Sequence, residues 1–234
     1  MSAKTLYDQE EKSTKRKVAN MSDARTPQLL DVQLVSSGWL NKYKLTYQAP
    51  DGSTLTYESV SRKGLKDYVR TLEANARGDA STPDAVCIVP ILPDGSIMLI
   101  REFRYPVNAW CIAFPAGLME KGETLEECVN RELLEETGCR VRTDLEGEVI
   151  RPLPQSGYSS VGMSEENVHV VVAQVERAGE AQPERNELIE AFTLARGEIA
   201  SFLESNKDLI GTRCQLMLEA MKTQGSNMSE DVHR

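Results

Sequence analysis

The chain has 234 residues, 40% of them hydrophobic and 27% charged, enough for one principal core and a smaller appended unit. Its net charge is −9 with no basic stripe, which argues against duplex nucleic acid as a partner; an anionic ligand would need local arginines or a bound cation against this field. No apolar run approaches the roughly 20 residues that span a bilayer, and the first eighteen residues lack the apolar centre of a secretory signal, so no membrane partner is expected.

Residues 1–27 are polar and charged and read as a flexible N-terminal extension, with Met21 a candidate second start. From 33 to 62 the chain alternates as strands do, KYKLTYQA and STLTYESVS flanking the turn formers PDGS. Leu65, Tyr68, Val69 and Leu72 recur at helical spacing, predicting a short amphipathic helix within 63–78, and DASTPDA follows as a linker. Residues 28–80 are thus expected to form a first unit and 81–234 a second. In the second, AVCIVPIL and SIMLIREF are strands joined by another PDGS turn, and WCIAF is a third. GEVIRPL and NVHVVVAQV are two more, separated by the loop PQSGYSSVGMSEE. ELIEAFTL is predicted as the last strand, with RGEIASFLESN and GTRCQLMLEAMKTQ as closing helices. Strands followed by single helices imply an α/β fold with a mixed sheet. Cys87, Cys111, Cys128, Cys139 and Cys214 form no CxxC pair and read as reduced, mostly buried thiols of a cytoplasmic protein. Two histidines, His169 and His233, are too few for a His-rich zinc site.

Between WCIAF and GEVIRPL lies GLMEKGETLEECVNRELLEETGC, residues 117–139, with seven glutamates. Thr124 and Glu127 form a capping-box pair and Gly138 is a stop signal, so a helix should run from about Leu125 to Thr137. At roughly 100° per residue, Leu125, Cys128, Val129 and Leu133 share one face, and Glu132 and Glu136 fall inside it, one turn apart. A solvated acidic surface accounts for Glu120, Glu126 and Glu127. It does not account for two glutamates that face inward and repel each other. A divalent cation does: hard carboxylate oxygens suit Mg²⁺ or Mn²⁺, which commonly bridge to substrate phosphates. On spacing alone the cation is favoured over the acidic surface. Arg131 and Glu135, also one turn apart, are expected to pair and to orient the inward glutamates rather than do chemistry.

Gly117, Glu123, Arg131, Glu132, Glu135, Glu136 and Gly138 stand at the fixed positions of G-x5-E-x7-R-E-U-x-E-E-x-G-U, so the stretch resembles the Nudix box at every one of them. The final U is Cys139 rather than Ile, Leu or Val. The resemblance implies a Nudix hydrolase, an α/β/α sandwich around a mixed sheet. Such an enzyme cuts a nucleoside diphosphate linked to another group, with Mg²⁺ as cofactor or Mn²⁺ in its place. It implies metal binding by Glu132 and Glu136, joined by the backbone carbonyl of Ala116, with Arg131 and Glu135 as supports.

WLNKYKLTYQAPDGSTLTYESVSR, AVCIVPIL and REFRYPVNAWCIAFPAGLMEKGET further resemble the ADP-sugar (ADP-ribose) pyrophosphatase branch, from about Trp39 to the early 170s. That branch implies a small N-terminal antiparallel β-region that contributes to a homodimer, each active site borrowing residues from the partner chain. Trp39 and Tyr57 match the aromatics that sandwich adenine, Tyr57 standing where tryptophan is common, and Glu58 follows as a base or dimer contact. Arg62 and Arg104 match arginines near the phosphates or terminal ribose. Read without the resemblance, Trp39 is a core tryptophan, Tyr57 a cross-strand aromatic, and the arginines surface ion-pair partners. In SSVGMSEEN, Ser160, Gly162 and Glu166 align with S-P-G-x-x-x-E. That puts Glu166 at the general-base position, with Glu165 the adjacent alternative. The proline of that pattern marks ADP-ribose specificity, and here it is Val161; Pro154 lies near its usual distance from the box. His169 is either a strand histidine with a satisfied ring or a site residue. Residues 63–84 are longer than the branch's usual connection. The implied reaction converts ADP-ribose to AMP and ribose 5-phosphate. The alternatives are another nucleoside diphosphate derivative (GDP-mannose, an oxidised nucleotide, a dinucleotide) or a nucleotide-sensing module that does not cleave, which the retained box glutamates disfavour.

Overall fold

The computed structural model describes residues 26–79 and 82–226; all but the last two residues of the expected N-terminal extension lie outside them. The chain divides into two compact units after Thr82, with Tyr158–Asn167 joining the first.

In the first unit β1 (Gln28–Ser36), β2 (Asn41–Gln48) and β3 (Thr54–Ser61) form an antiparallel sheet in that order, and α1 (Leu65–Arg77) follows. PDGS closes the β2–β3 hairpin: Asp51 Oδ1 accepts from the Ser53 amide at 2.9 Å and from its hydroxyl at 2.6 Å. β1 begins before the predicted strand region because two register shifts, at Leu29/Asp31 and Leu34/Ser36, blur its two-residue period. The predicted helix covers the sheet. Tyr68 of α1 stacks on Tyr43 of β2, ring centres 4.4 Å apart, and Leu29 and Leu45 complete this small core. Both buried hydroxyls are satisfied, Tyr68 by Ser59 Oγ at 2.7 Å and Tyr43 by the Lys63 carbonyl at 2.8 Å.

The expected second unit, 81–234, gives up Tyr158–Asn167 to the first. β3 holds that segment. The Val60 amide and Ser59 Oγ both donate to the Met163 carbonyl at 3.0 Å, and Tyr57 donates its hydroxyl proton to the Gly162 carbonyl at 2.8 Å.

The second unit is built on a mixed sheet. Its strands are β4 (Ala85–Ile91), β5 (Ile97–Arg104), β6 (Ala109–Ala113), β7 (Ala116–Leu118), β8 (Cys139–Val141), β9 (Ile150–Pro152), β11 (Asn167–Arg177), β12 (Ile189–Leu194) and β13 (Leu209–Ile210); β10 (Gly157–Tyr158) leads into the excursion. The central order is β11-β4-β5-β6-β13, with β12 on β5 and β7 on β4. β11 runs parallel to β4 and β13 parallel to β6, and the other described pairs here are antiparallel. Successive side chains of a strand point to opposite faces. Ile97 and Leu99 of β5 therefore enter one cluster, with Ile199 of α3 (Ile199–Ser205) and Cys214 and Leu218 of α4 (Thr212–Ser226). Met98 enters the other, with Cys128, Val129 and Leu133 of α2 (Leu125–Thr137). This is the expected α/β/α sandwich. All five cysteines are free, four of them buried, and no helix among the described residues is long and apolar enough to cross a membrane.

Candidate active site

α2 occupies the predicted span. The Glu127 amide donates to Thr124 Oγ1 at 3.2 Å, and the Thr124 amide returns a bond to Glu127 Oε2 at 2.8 Å. Gly138 ends the helix at φ 66°, where a Cβ would strike the Gly179 carbonyl. The apolar face drives the helix onto the sheet: Val129 and Leu133 are fully buried, each contributing about 1.5–3 kcal/mol. The same face carries Glu132 and Glu136 inward, 7% and 3% exposed, as the helical wheel predicts.

Glu136 Oε2 accepts the Ala116 amide of β7 at 2.9 Å. That bond favours the carboxylate but does not offset burial, and the charges of Glu132, Glu102 and Glu187 add to the cost. The Glu136 carboxyl is pushed up to about 9. Burial also raises Glu132, against the bond and charge of Arg131. Arg131 grips Glu123 with a fork, Nε to Oε1 at 2.8 Å and Nη2 to Oε2 at 3.0 Å. Its Nη1 reaches Glu132 Oε1 at 2.7 Å and Glu135 Oε2 at 3.2 Å. The expected Arg131–Glu135 pair is therefore present but is the longest of these contacts. Arg131 orients Glu132 directly, and it holds Glu123 down at about 2.

Gly117 explains itself by what lies above it: a Cβ there would land on the Glu132 carboxyl. Gly117→Ala is therefore expected to swing that carboxyl aside. Because the displaced atoms end a flexible side chain, melting should move little while kcat/KM falls about 10–100-fold. Unchanged kinetics with unchanged melting would show that the carboxyl position does not matter.

These residues fit a hard divalent cation. Two buried carboxylates repel each other, Glu136 has no ion-pair partner among the described residues, and main chain at Ala116 and Gly117 lies against both. Among the described residues no cluster of three or more His, Cys, Asp or Glu side chains is arranged as a complete metal site. The protein's share would be Glu132, Glu136 and the Ala116 carbonyl, with water and substrate supplying the rest.

Sequence reading missed two acids. Glu102, buried on β5, and Glu187, just before β12, both act electrostatically on Glu136. Neither belongs to a local motif; only strand pairing brings them near α2. Arg104, half-exposed at the end of β5, lies with Nη2 2.6 Å from Glu102 Oε2.

The remaining predicted site residues lie in the first unit, except His169 in the second. Trp39 is 78% exposed in the β1–β2 turn, not in a core, and Tyr57 is 54% exposed. No ring contact joins the two among the described residues. Glu58 pairs with Lys42 at 2.9 Å. Arg62 is ion-paired with Glu166, which also accepts Ser159 Oγ at 2.9 Å. Glu165 is buried, accepting Ser61 Oγ at 2.5 Å with Lys63 Nζ at 3.4 Å. Val161 is 82% exposed. His169 Nε2 lies 2.8 Å from the Leu153 carbonyl, a satisfied ring in a strand.

The family model described as NUDIX domain matches residues 81–210. An ADP-sugar pyrophosphatase of Mus musculus is 30% identical over 202 residues, covering 80% of each chain. The ADP-ribose pyrophosphatase of Bacillus subtilis is 28% identical over 162 residues, 66% of this chain and 84% of that one. The ADP-ribose pyrophosphatase of Saccharomyces cerevisiae is 30% identical over 167 residues, 67% and 64% of the two chains. A solved ADP compounds hydrolase superposes with a TM-score of 0.64 at 20% identity, covering 90% of this chain and all of that one, a likeness of fold.

Proposed function

The chain belongs to the Nudix family, and we propose that it hydrolyses the diphosphate of ADP-ribose or a related ADP-sugar, releasing AMP and a sugar phosphate. The buried, mutually repelling pair Glu132 and Glu136 carries this reading. A divalent cation, Mg²⁺ or Mn²⁺ in its place, held by that pair and the Ala116 carbonyl would neutralise the diphosphate and make water more acidic.

The chain's own groups do the rest. Arg131 and Glu123 fix the Glu132 carboxyl. Arg104 faces an anion from the rim with its guanidinium half-exposed. A carboxylate takes the proton from the attacking water: Glu166 is the base its sequence context favours, with Glu165 adjacent, and Glu187, whose charge acts on both Glu132 and Glu136, is the alternative. Arg62 is ion-paired with Glu166 and would hold its carboxylate charged, and Glu165 accepts Ser61 Oγ. The solvent-exposed rings of Trp39 and Tyr57 are free to stack on adenine. Exposed Leu30, Leu34, Val35 and Leu40 in the same unit support a homodimer in which a partner chain covers them. Free thiols throughout support a cytoplasmic location.

The test is release of the nucleoside monophosphate with Mg²⁺, AMP from ADP-ribose, ADP-glucose, NADH and diadenosine phosphates and GMP from GDP-mannose. Turnover of ADP-ribose or ADP-glucose is expected. Turnover of none would end the enzyme reading, and of GDP-mannose alone the adenine reading. In the same assay Glu166→Gln should lose about 10²–10⁴-fold in kcat and Glu187→Gln far less; the reverse order moves the base to Glu187.

A further inference from the structure

β5 changes character along one face. Met98 packs in the cluster beneath α2, and every second residue from there, Ile100, Glu102 and Arg104, points to the same side. The face turns from apolar to charged as it nears the site. Glu102 is 8% exposed, flanked in register by Cys111 of β6 and Ile189 of β12. Its Oε2 has no hydrogen bond of good geometry, although Arg104 Nη2 stands 2.6 Å away. A buried carboxylate in this state is costly, and it adds repulsion to Glu136. Burying it is of no evident help to the sheet, since an apolar residue would suit this position between Ile189 and Cys111 better. What it does is tether the guanidinium two residues on.

We propose that Glu102 is a positioning residue that holds the Arg104 guanidinium toward the diphosphate beside Glu132 and Glu136. Arg104 is the longer, half-exposed member of the pair, with 48% of its side chain open to solvent against 11% for Glu102. Untethered, an exposed arginine samples many rotamers; tethered, less freedom is lost when an anion binds. One carboxylate occupies one part of the guanidinium fork, and a planar guanidinium has five N–H donors, so donors remain for a phosphate oxygen.

The inference rests on the diphosphate reading above, and a cycle of variants separates the two. Wild type, Glu102→Gln, Arg104→Ala and the double variant are compared by KM for ADP-ribose with Mg²⁺. Equilibrium affinity for ADP-ribose by calorimetry in EDTA and thermal melting accompany each. Glu102→Gln should weaken KM and affinity about 10-fold with kcat within about 3-fold, and it should melt no lower than wild type, since an amide replaces a buried charge. Arg104→Ala should weaken both by at least as much, and the double variant should be no worse than Arg104→Ala. An equal further loss in the Arg104→Ala background, or no loss in Glu102→Gln, overturns the positioning role. Unchanged KM and affinity in Arg104→Ala overturn it as well, by removing Arg104 from the substrate. Wild type inactive toward every nucleoside diphosphate compound would instead overturn the function itself.

Discussion

Glu136→Gln should cut kcat/KM by at least about 10²–10³-fold in saturating Mg²⁺ while leaving the fold intact. The amide oxygen of glutamine can still accept the Ala116 amide, which now binds Glu136 Oε2 at 2.9 Å. Shape and hydrogen bonding therefore persist, and only the charge is lost. Glu126→Gln, on the exposed face of the same helix, is the control for a general loss of negative charge and should be silent. Steady-state kinetics at several Mg²⁺ concentrations read the difference. Activity within about 3-fold of wild type in Glu136→Gln would remove this residue from the site.

The metal-free protein should lose stability as pH rises from about 5 to 9, the opposite of the usual carboxylate behaviour. Glu136 has its carboxyl raised to about 9 in the folded chain, chiefly by burial, against about 4.3 unfolded. The folded state therefore holds a proton that the unfolded state has released. Its contribution is fully present below the unfolded value and is lost as pH climbs through the folded one. At about 1.4 kcal/mol per unit, the loss across the window is capped at roughly 6 kcal/mol. Burial raises Glu132 in the same direction. Glu123, held at about 2 by Arg131, has the opposite sign, but its contribution falls away only below about pH 4.5. Urea midpoints in EDTA at pH 5.5, 7 and 8.5 should fall in that order. Added Mg²⁺ should restore the midpoint at pH 8.5 by binding the ionised pair, and Glu136→Gln should flatten the profile. A midpoint that rises from pH 5.5 to 8.5 without metal would contradict a buried, neutral Glu136.

Much of this was legible residue by residue. The bounds of α2 follow from Thr124, Glu127 and Gly138, whose partners lie within one helical turn of them. The inward facing of Glu132 and Glu136 follows from the helical period, which needs no knowledge of what the helix packs against. KYKLTYQA, STLTYESVS, AVCIVPIL and SIMLIREF became β2 to β5 because alternation or an unbroken apolar run is itself a strand's packing requirement. β7 and β13, at three and two residues, carry no period to detect, and β1 hides its own behind two register shifts.

The chain alone thus determined which two glutamates face inward and which arginine stands beside them, since those relations span a turn or two of helix. Only the tertiary structure decided what surrounds them. Glu102 and Glu187 reach Glu136 through a pairing of β5 with β12 that no local spacing encodes. The same holds for the ion pair of Glu166 with Arg62, 104 positions away, which no local spacing encodes. A carboxyl's charge depends on every group that packs around it, and in a sheet those groups come from strands far apart along the chain.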